Sequence, residues 1–252
     1  MTVEISATDQ RWEIEKEEAR LIQQSLLPAG TLHGASFEVS CKFSPYSEVG
    51  GDFADFFNLT DGRAGIYVGD VAGKGLSAAM YAALAMGMLR GIHKSGVAAA
   101  SVLTLLNKRL MVRPVAARYC ATLYATFDPK TLQLEFSNAG LPRPLHASTG
   151  PCKLLGEGGM PSGMFAEAEY DQYSIQLSRG DTVLFATDGL HEMKNAQDQF
   201  VNAEELVELW RQCAKRSANE SLDYLFSCIR AFANGARPQQ HDDITAVVLK
   251  VL

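Results

Sequence analysis

The sequence has few cysteines, no C-x-x-C motif and no long apolar run. Its five cysteines are scattered and odd in number, which argues against a disulfide scaffold or a zinc site and favours a reducing compartment. The most apolar stretch, about residues 78–89, is well short of the roughly 20 residues that a membrane span needs. The first 20 residues are polar and acidic, unlike a signal peptide. These absences predict a cytoplasmic protein without a membrane span.

Basic residues are too few for general nucleic-acid binding. The 252 residues include 23 Lys and Arg against 29 Asp and Glu, a formal net charge of −6, whereas nucleic-acid binding needs a concentrated basic face. Hydrophobic residues make up 47% of the chain, enough to bury a large core. We therefore expect no nucleic-acid partner, and the acidic balance suits a site for cations.

Residues 8–28 are predicted to form one helix, which Pro28 and Gly30 end. Apolar residues recur in it at every seventh position, a spacing typical of a coiled-coil seam. The stripe consists of Ile5, Trp12, Ala19 and Leu26, with Ile22 beside them. Two interpretations stay open: a homodimer through this helix, or packing of the stripe on the chain's own core.

From about residue 36 the pattern changes to short strands joined by turns. Thr60-Asp61-Gly62 indicates a hairpin between residues 53–59 and 64–71. Ser178-Arg179-Gly180-Asp181 is interpreted as a second hairpin turn, between residues 170–177 and 182–187. Residues 75–93 are apolar nearly all round and predict a buried helix. Hairpins combined with paired helices indicate an α+β fold, with antiparallel sheets and helices packed outside them.

Four acidic positions share one local pattern, because each lies where an apolar strand begins or ends, beside a small residue. They are Asp52, Asp70, Asp188 and the pair Asp242-Asp243. A carboxylate at the end of a buried strand is costly unless it pairs with a cation, and oxygen ligands favour Mg²⁺ or Mn²⁺ over zinc or copper. Each aspartate alone is equally consistent with a turn residue that hydrogen-bonds its own backbone. The spacing does not prove that they converge.

Other known motifs fit these segments poorly. Gly69-x-x-x-Gly73-Lys74 has three residues between its glycines, whereas a phosphate-binding P-loop needs four, with a Ser or Thr after the lysine. Gly50-Gly51-Asp52-Phe53 looks like a diguanylate cyclase signature, but Phe53 replaces the second acidic residue. His191 and His241 lie near the aspartates in sequence, and we interpret both as structural.

Taken in order, the motifs resemble those of the PPM (type 2C-like) phosphatases, in the bacterial branch that includes SpoIIE and the stress-response sigma-regulator phosphatases. The matching segments are residues 23–28, 49–56, 69–79, 121–144, 187–192 and 242–248. The resemblance implies a four-layer αββα sandwich, with two antiparallel sheets flanked by helix pairs. It also implies a metal-dependent protein serine/threonine phosphatase, with residues 31–252 as the catalytic domain and residues 1–30 as an N-terminal linker or dimerisation helix.

The resemblance further implies a centre of two ions, Mn²⁺ or Mg²⁺, between the sheets. Asp70 matches the carboxylate that bridges the ions, and the backbone carbonyl of Val71 matches a ligand of one of them. Asp188 and Asp242 match ligands of the other ion. A hydroxide bridging the ions would attack phosphorus directly, so no cysteine or serine nucleophile is required.

The remaining positions carried over from the family support this centre. Asp52 matches the acidic residue that holds metal-bound waters, so that Asp70 and Asp52 are the expected catalytic residues. Asp243 is either a further ligand or a neighbour that orients the loop. Gly51, Gly69 and Gly189 would let the backbone approach the site closely.

The sequence departs from the family pattern at four positions. Ala72 and Leu141 each stand where related sequences carry histidine, Ala54 replaces an aromatic residue, and Lys74 replaces a common histidine. The expected substrate is a phosphorylated regulatory protein of the anti-anti-sigma (STAS) type. The departures leave a second interpretation open, a catalytically weak phosphatase-like module that binds a phosphorylated partner.

Overall fold

The computed structural model describes residues 7–93, 97–195, 197–232 and 242–252, with side chains from residue 11 onward. Within these ranges the helices are α1 (Ala7–Leu26), α2 (Leu76–Ile92), α3 (Ala99–Leu110), α4 (Ala203–Cys213) and α5 (Ala218–Phe232). The strands are β1 (Thr31–His33), β2 (Phe37–Ser44), β3 (Phe53–Asn58), β4 (Ala64–Val71), β5 (Cys120–Asp128), β6 (Gln133–Ala139), β7 (Leu145–Ala147), β8 (Lys153–Leu154), β9 (Tyr173–Gln176), β10 (Thr182–Ala186) and β11 (Ile244–Val251).

The strands form two antiparallel sheets, each covered on its outer face by a helix pair. The first sheet has the order β1-β2-β11-β10-β7-β8, and the second has the order β3-β4-β5-β6-β9. Helices α4 and α5 pack on the first sheet, and α2 and α3 pack on the second. The predicted α+β fold with four αββα layers is confirmed.

Side chains alternate between two apolar layers along each central strand, as the period of two requires. On β11, Val247 and Leu249 pack between the sheets, whereas Ala246 and Val248 pack against α4 and α5. A residue such as Val247 is completely buried. Removal of both strand faces from water is the main source of stability for these layers, and it fixes which residues lie between the sheets.

The hairpin predicted around Thr60-Asp61-Gly62 is present. Strands β3 and β4 pair with Phe53 opposite Gly69 and Asn58 opposite Ala64. Gly62 has a φ of 90°, in the left-handed region that glycine adopts without a steric penalty. The residues on either side of Gly69 are thereby held next to the start of β3.

The second predicted hairpin is wrong, because the segment at residues 178–181 crosses from one sheet to the other. Strand β9 pairs with β6 in the second sheet, whereas β10 pairs with β7 and β11 in the first. The Asp181 carboxylate accepts hydrogen bonds from Ser178 N and from His146 Nε2, both at 3.0 Å. The turn forms locally as its residues suggest, but local turn chemistry does not decide which strand each arm will join.

Helix α2 is less buried than its composition predicted. Ala78, Ala85 and Leu89 are fully buried against the second sheet, but Met80 is 68% exposed and Leu84 is 47% exposed. A helix that packs on one sheet buries only the stripe that faces it, and the opposite side of α2 borders α1 across a cavity of about 160 Å³.

Helix α1 packs on the domain only near its end. Leu26 is half-buried against the α2 and α3 layer, whereas the apolar side chains of Trp12, Leu21 and Ile22 are exposed. Ile5 lies outside the described residues. None of the helices in the described ranges combines the length and apolar character needed to cross a bilayer.

Candidate functional site

Asp70 lies near the end of β4. It is on the same face of the strand as the residues that fill the space between the sheets. Ile66 and Val68 are two of these residues, and both are fully buried in the inter-sheet core. Asp70 is half-buried. The strand therefore carries a carboxylate at the edge of the space that its apolar residues occupy.

Asp52 is almost completely buried, with 2% of its surface exposed, and a threonine from the other sheet holds it. Thr187, which follows β10, donates a hydrogen bond from Oγ1 to Asp52 Oδ2 at 2.8 Å. The same hydroxyl accepts the Thr245 N–H at 2.9 Å. Burial, followed by the charges of Asp70 and Asp243, raises the pKa of Asp52, and the Thr187 hydrogen bond opposes the change.

Both oxygens of Asp243 are engaged by backbone donors of the loop before β3. Oδ1 accepts the N–H of Tyr46 at 2.8 Å, and Oδ2 accepts the N–H of Gly51 at 2.7 Å. A β-carbon on Gly50 would lie 1.7 Å from Asp243 Oδ2, so the loop can approach this carboxylate only with glycine there. Burial raises the pKa of Asp243, and the backbone hydrogen bonds oppose the change.

Asp188 and Asp242 lie on the loops next to β10 and β11. Asp188 begins a short 3₁₀ turn that follows β10 directly, and as a whole residue it is exposed. Its carboxyl group is nevertheless largely surrounded by protein, so burial, followed by the charge of Asp242, raises its pKa. Asp242 accepts the N–H of Asp243 at Oδ1 and pairs through Oδ2 with Lys74 Nζ, each at 2.9 Å.

The five carboxylates lie close enough to act on one another's charge. At Asp70, burial followed by the charges of Asp188 and Asp242 raises the pKa to about 8. Carboxylates packed this closely cannot all ionise at neutral pH unless a cation compensates them. An all-oxygen set suits hard divalent cations such as Mg²⁺ and Mn²⁺, so these residues fit a metal centre of the predicted kind.

Three of the carboxylates have hydrogen-bond or ion-pair partners within the chain. Across the described ranges, no three His, Cys, Asp or Glu side chains form a group ready to hold a metal ion as they stand. Asp52 is bonded to Thr187, Asp243 to backbone N–H groups, and Asp242 to Lys74. Ion binding at this cluster therefore requires side chains to exchange some of these partners.

Two of the predicted glycines lie where backbone and carboxylates approach closely. A β-carbon on Gly51 would be 2.8 Å from the carbonyl oxygen of Val71 and 3.3 Å from Asp70 Oδ1. A β-carbon on Gly189 would be 1.9 Å from the carbonyl oxygen of Asp243. A side chain at either position would displace the backbone that carries the cluster.

Gly69 has a different role from the expected one. A β-carbon at this position would lie 2.0 Å from the ring of Phe53, its partner across the β3–β4 hairpin. The absence of a side chain makes room for the aromatic ring on the face toward α2. Gly69 therefore supports the packing behind the cluster, and its neighbour Asp70 lies on the opposite face.

Cysteine side chains near the carboxylates are poorly suited to nucleophilic attack. Burial raises the pKa of Cys41 and of Cys120 to about 12, so that both are thiols at neutral pH. Burial lowers the pKa of His191, which the charge of Asp188 opposes. His241 lies outside the described residues.

The sequence did not identify Thr187 or Gln23 as part of this site. Gln23 of α1 is buried, and its Nε2 donates to the carbonyl of Gly50 at 2.7 Å while its Oε1 accepts the Gly50 N–H at 3.1 Å. The sequence feature that could have identified Gln23 was its position on the helix, because it lies four residues after Ala19 and three before Leu26 and so shares their face. The signal for Thr187 was its position directly before Asp188.

Comparison with known proteins gives the family. Residues 60–252 match the family model described as Stage II sporulation protein E (SpoIIE). The phosphoserine phosphatase RsbU of Bacillus subtilis is 23% identical over 238 residues, which cover 94% of this chain and 70% of RsbU.

Solved structures support the fold. The SiaA-PP2C domain of Pseudomonas aeruginosa matches with a TM-score of 0.85 at 21% identity, over 98% of this chain and 99% of that domain. RsbX in complex with magnesium matches with a TM-score of 0.65 at 14% identity, over 88% of this chain and 99% of that one. At these identities the structural matches establish the architecture, and the family model establishes the relationship. The chain belongs to the SpoIIE family of PPM (PP2C-type) protein phosphatases.

Proposed function

We propose that this protein is a metal-dependent phosphatase that removes phosphate from a phosphoserine or phosphothreonine of a regulatory protein. The observation that carries the proposal is the convergence of five carboxylates from both sheets at one end of the inter-sheet space. Membership of the SpoIIE family supports the same activity.

Two divalent ions, Mn²⁺ or Mg²⁺, are the proposed cofactors. Asp70 and the carbonyl of Val71 would hold one, with Asp70 shared between both, and Asp188 with Asp242 would hold the other. When bound, such ions supply an activated water and offset the charge of the phosphoryl oxygens. The magnesium in the RsbX structure supports this choice of metal.

The chain's own residues position and insulate this centre. Asp52, fixed by the Thr187 hydroxyl, would accept hydrogen bonds from water at the ions. Asp243 would orient the loop through Tyr46 N and Gly51 N. With Cys41 and Cys120 held as thiols, direct attack by water is favoured over a covalent phosphoenzyme.

The alternative, a binding module with little turnover, rests on the departures at Ala54, Leu141 and Ala72. Ala54 and Leu141 are buried in the inter-sheet core, and the backbone N–H and carbonyl of Leu141 both bond the Asn138 side chain. The changes at these two positions therefore alter packing and leave the carboxylates in place. This favours the active enzyme.

The proposed substrate is a phosphorylated protein of the anti-anti-sigma (STAS) type. The name of RsbU as a phosphoserine phosphatase supports a phosphoserine substrate. The described surface includes a cavity of about 270 Å³ that Leu145, Leu206 and His191 help to line. The charge of Asp188 acts on His191, but none of the five carboxylates is among the residues that line this cavity.

The function is tested by phosphate release from phosphoproteins and from an aryl phosphate during a Mn²⁺ and Mg²⁺ titration. Asp70→Asn should lower the rate at least about 10³-fold, because it removes the shared carboxylate. Asp61→Asn is the matched control, since Asp61 lies in the β3–β4 turn and pairs with Arg63 at 2.7 Å. Absence of phosphate release by the wild type would refute the enzyme. Retained partner binding without turnover, unchanged in Asp70→Asn, would support the module.

We also propose that residues 1–30 are a linker whose helix α1 (Ala7–Leu26) dimerises and acts on the catalytic domain, residues 31–252. The exposed apolar side chains of Trp12 and Ile22 support a helix-to-helix interface. The two hydrogen bonds between Gln23 and Gly50 connect α1 to the loop that carries Asp52.

Solution mass measured by light scattering tests this interface. We expect a wild-type dimer, which Ile22→Lys converts to a monomer, because a charge in an apolar seam is costly. Gln24→Lys, at the neighbouring exposed position, should leave the dimer intact. A monomeric wild type would contradict the proposal.

A further inference from the structure

Lys74 occupies a loop whose backbone is fixed on both sides. It lies between Gly73 and Gly75, which have φ angles of 98° and 71°, regions open mainly to glycine. Arg118 Nη1 donates to the carbonyl of Ala72 at 2.9 Å, and its Nη2 donates to Ser77 Oγ at 2.8 Å. The loop between β4 and α2 is therefore held at a fixed distance from the acidic cluster.

From this loop, the Lys74 side chain reaches a proposed metal ligand. Its Nζ lies 2.9 Å from Asp242 Oδ2 and 5.0 Å from the centre of the Tyr46 ring. The side chain is 48% exposed, and that of Asp242 is 27% exposed. An exposed lysine keeps its proton at neutral pH, so Lys74 places an ammonium ion next to the carboxylate cluster.

We propose that Lys74 is a built-in competitor for the divalent cation, neutralising Asp242 until an ion displaces its ammonium. This inference rests on the proposed function, in which Asp242 is a metal ligand. Coulomb attraction at 2.9 Å must be given up before a metal can use the same oxygen, and the displaced ammonium then repels the ion. Lys74 therefore positions Asp242 in the unloaded protein and weakens metal binding.

The same pair has the opposite effect on the two forms of the protein. Without metal, the ammonium offsets repulsion among the carboxylates and stabilises the fold. With metal bound, it adds a positive charge beside the ion and opposes loading. A residue with a purely structural role would stabilise both forms alike, so the two contributions can be separated experimentally by linkage.

Isothermal titration calorimetry with Mn²⁺ alone tests this on the full chain. Lys74→Met keeps the length and apolar contacts of the side chain but removes its charge, and we expect the Kd to tighten about tenfold. Lys74→Arg, which retains the charge, should stay near the wild-type value. Lys42→Met is the matched control, because Lys42 pairs with Asp223, away from the cluster.

A second measurement is the melting temperature with and without saturating Mn²⁺. Lys74→Met should lower the Tm of the metal-free protein by about 2–4 °C, the shift expected for about 1 kcal/mol in a chain of this size, and this deficit should vanish with metal. An unchanged or weaker Kd in Lys74→Met, or an equal loss of Tm in both states, would overturn the inference. Absence of Mn²⁺ binding by the wild type would instead refute the proposed metal centre.

Discussion

Strands β4 and β10 each contribute to two contrasting regions of the inter-sheet space, its apolar middle and its acidic end. In the middle, Ile66 and Phe185 are buried among other apolar side chains. At the end, Asp70 follows in the same alternation on β4, and Thr187 follows on β10. Burial of apolar side chains in the middle stabilises the fold, whereas repulsion between like charges at the end destabilises it. The comparison teaches that the fold is held by one region and concentrates reactive groups in the other.

The largest effect on stability is expected from the apolar middle. Phe185 is 1% exposed, so Phe185→Ala should lower the free energy of unfolding by about 3–5 kcal/mol, because it removes apolar contacts and leaves a cavity. Urea denaturation followed by fluorescence measures the change. Phe165→Ala is the control at a 52% exposed position, where a change of about 0.5 kcal/mol or less is expected. Equal losses in the two variants would contradict the assignment of the middle as the source of stability.

The elements that the sequence predicted well are those whose partners lie nearby in the chain. The β3–β4 hairpin follows from Thr60-Asp61-Gly62 between two apolar segments, which were predicted at residues 53–59 and 64–71 and form strands at Phe53–Asn58 and Ala64–Val71. The crossing at residues 178–181 was missed because the strand that each arm joins depends on distant residues, β6 for one and β11 for the other. Local propensity carries no information about that choice.

In the candidate site, too, features set by nearby residues could be predicted and contacts between distant residues could not. The aspartates could be selected from their strand-end positions, and their proposed roles came from the family resemblance. The partners that hold them could not be selected, because Thr187 and Asp52 are 135 residues apart in the chain. Gln23 and Gly50 are 27 apart and belong to different elements. Such contacts are set by the packing of the two sheets and α1, which no short segment encodes.

A smaller effect is expected where the two regions meet. Thr187→Val keeps the shape of the side chain but removes the donor to Asp52 Oδ2 and the acceptor of the Thr245 N–H. Leaving two buried groups without this partner should cost about 1–3 kcal/mol of unfolding free energy, measured by urea denaturation. Thr187→Ser retains the hydroxyl and should recover most of the loss. If Thr187→Val were as stable as the wild type, the hydroxyl would not connect the sheets.

The last effect concerns the acidic end itself, and it has the opposite sign. The pKa of Asp70 is raised from its ordinary value of 3.8 to about 8 in the folded protein, so between these pH values the folded form binds more protons than the unfolded form. Its contribution to stability is therefore fully present below about pH 3.8 and is lost as the pH rises through about 8. Since the amide that Asp70→Asn introduces cannot ionise, the metal-free variant should gain on the wild type as the pH rises.

At pH 8.5 we expect metal-free Asp70→Asn to be more stable than the wild type, measured as a higher Tm, because the wild type must then ionise Asp70 among like charges. At pH 4 the two proteins should melt at nearly the same temperature, because Asp70 is then protonated when folded. Saturating Mn²⁺ should reverse the order at pH 8.5, since the wild type alone keeps the shared carboxylate and gains more from binding. Parallel melting curves across this pH range would show that the acidic end does not oppose folding. If the expected result is found, Asp70→Asn abolishes activity and also stabilises the metal-free fold. This is the trade-off expected where an active site lowers stability.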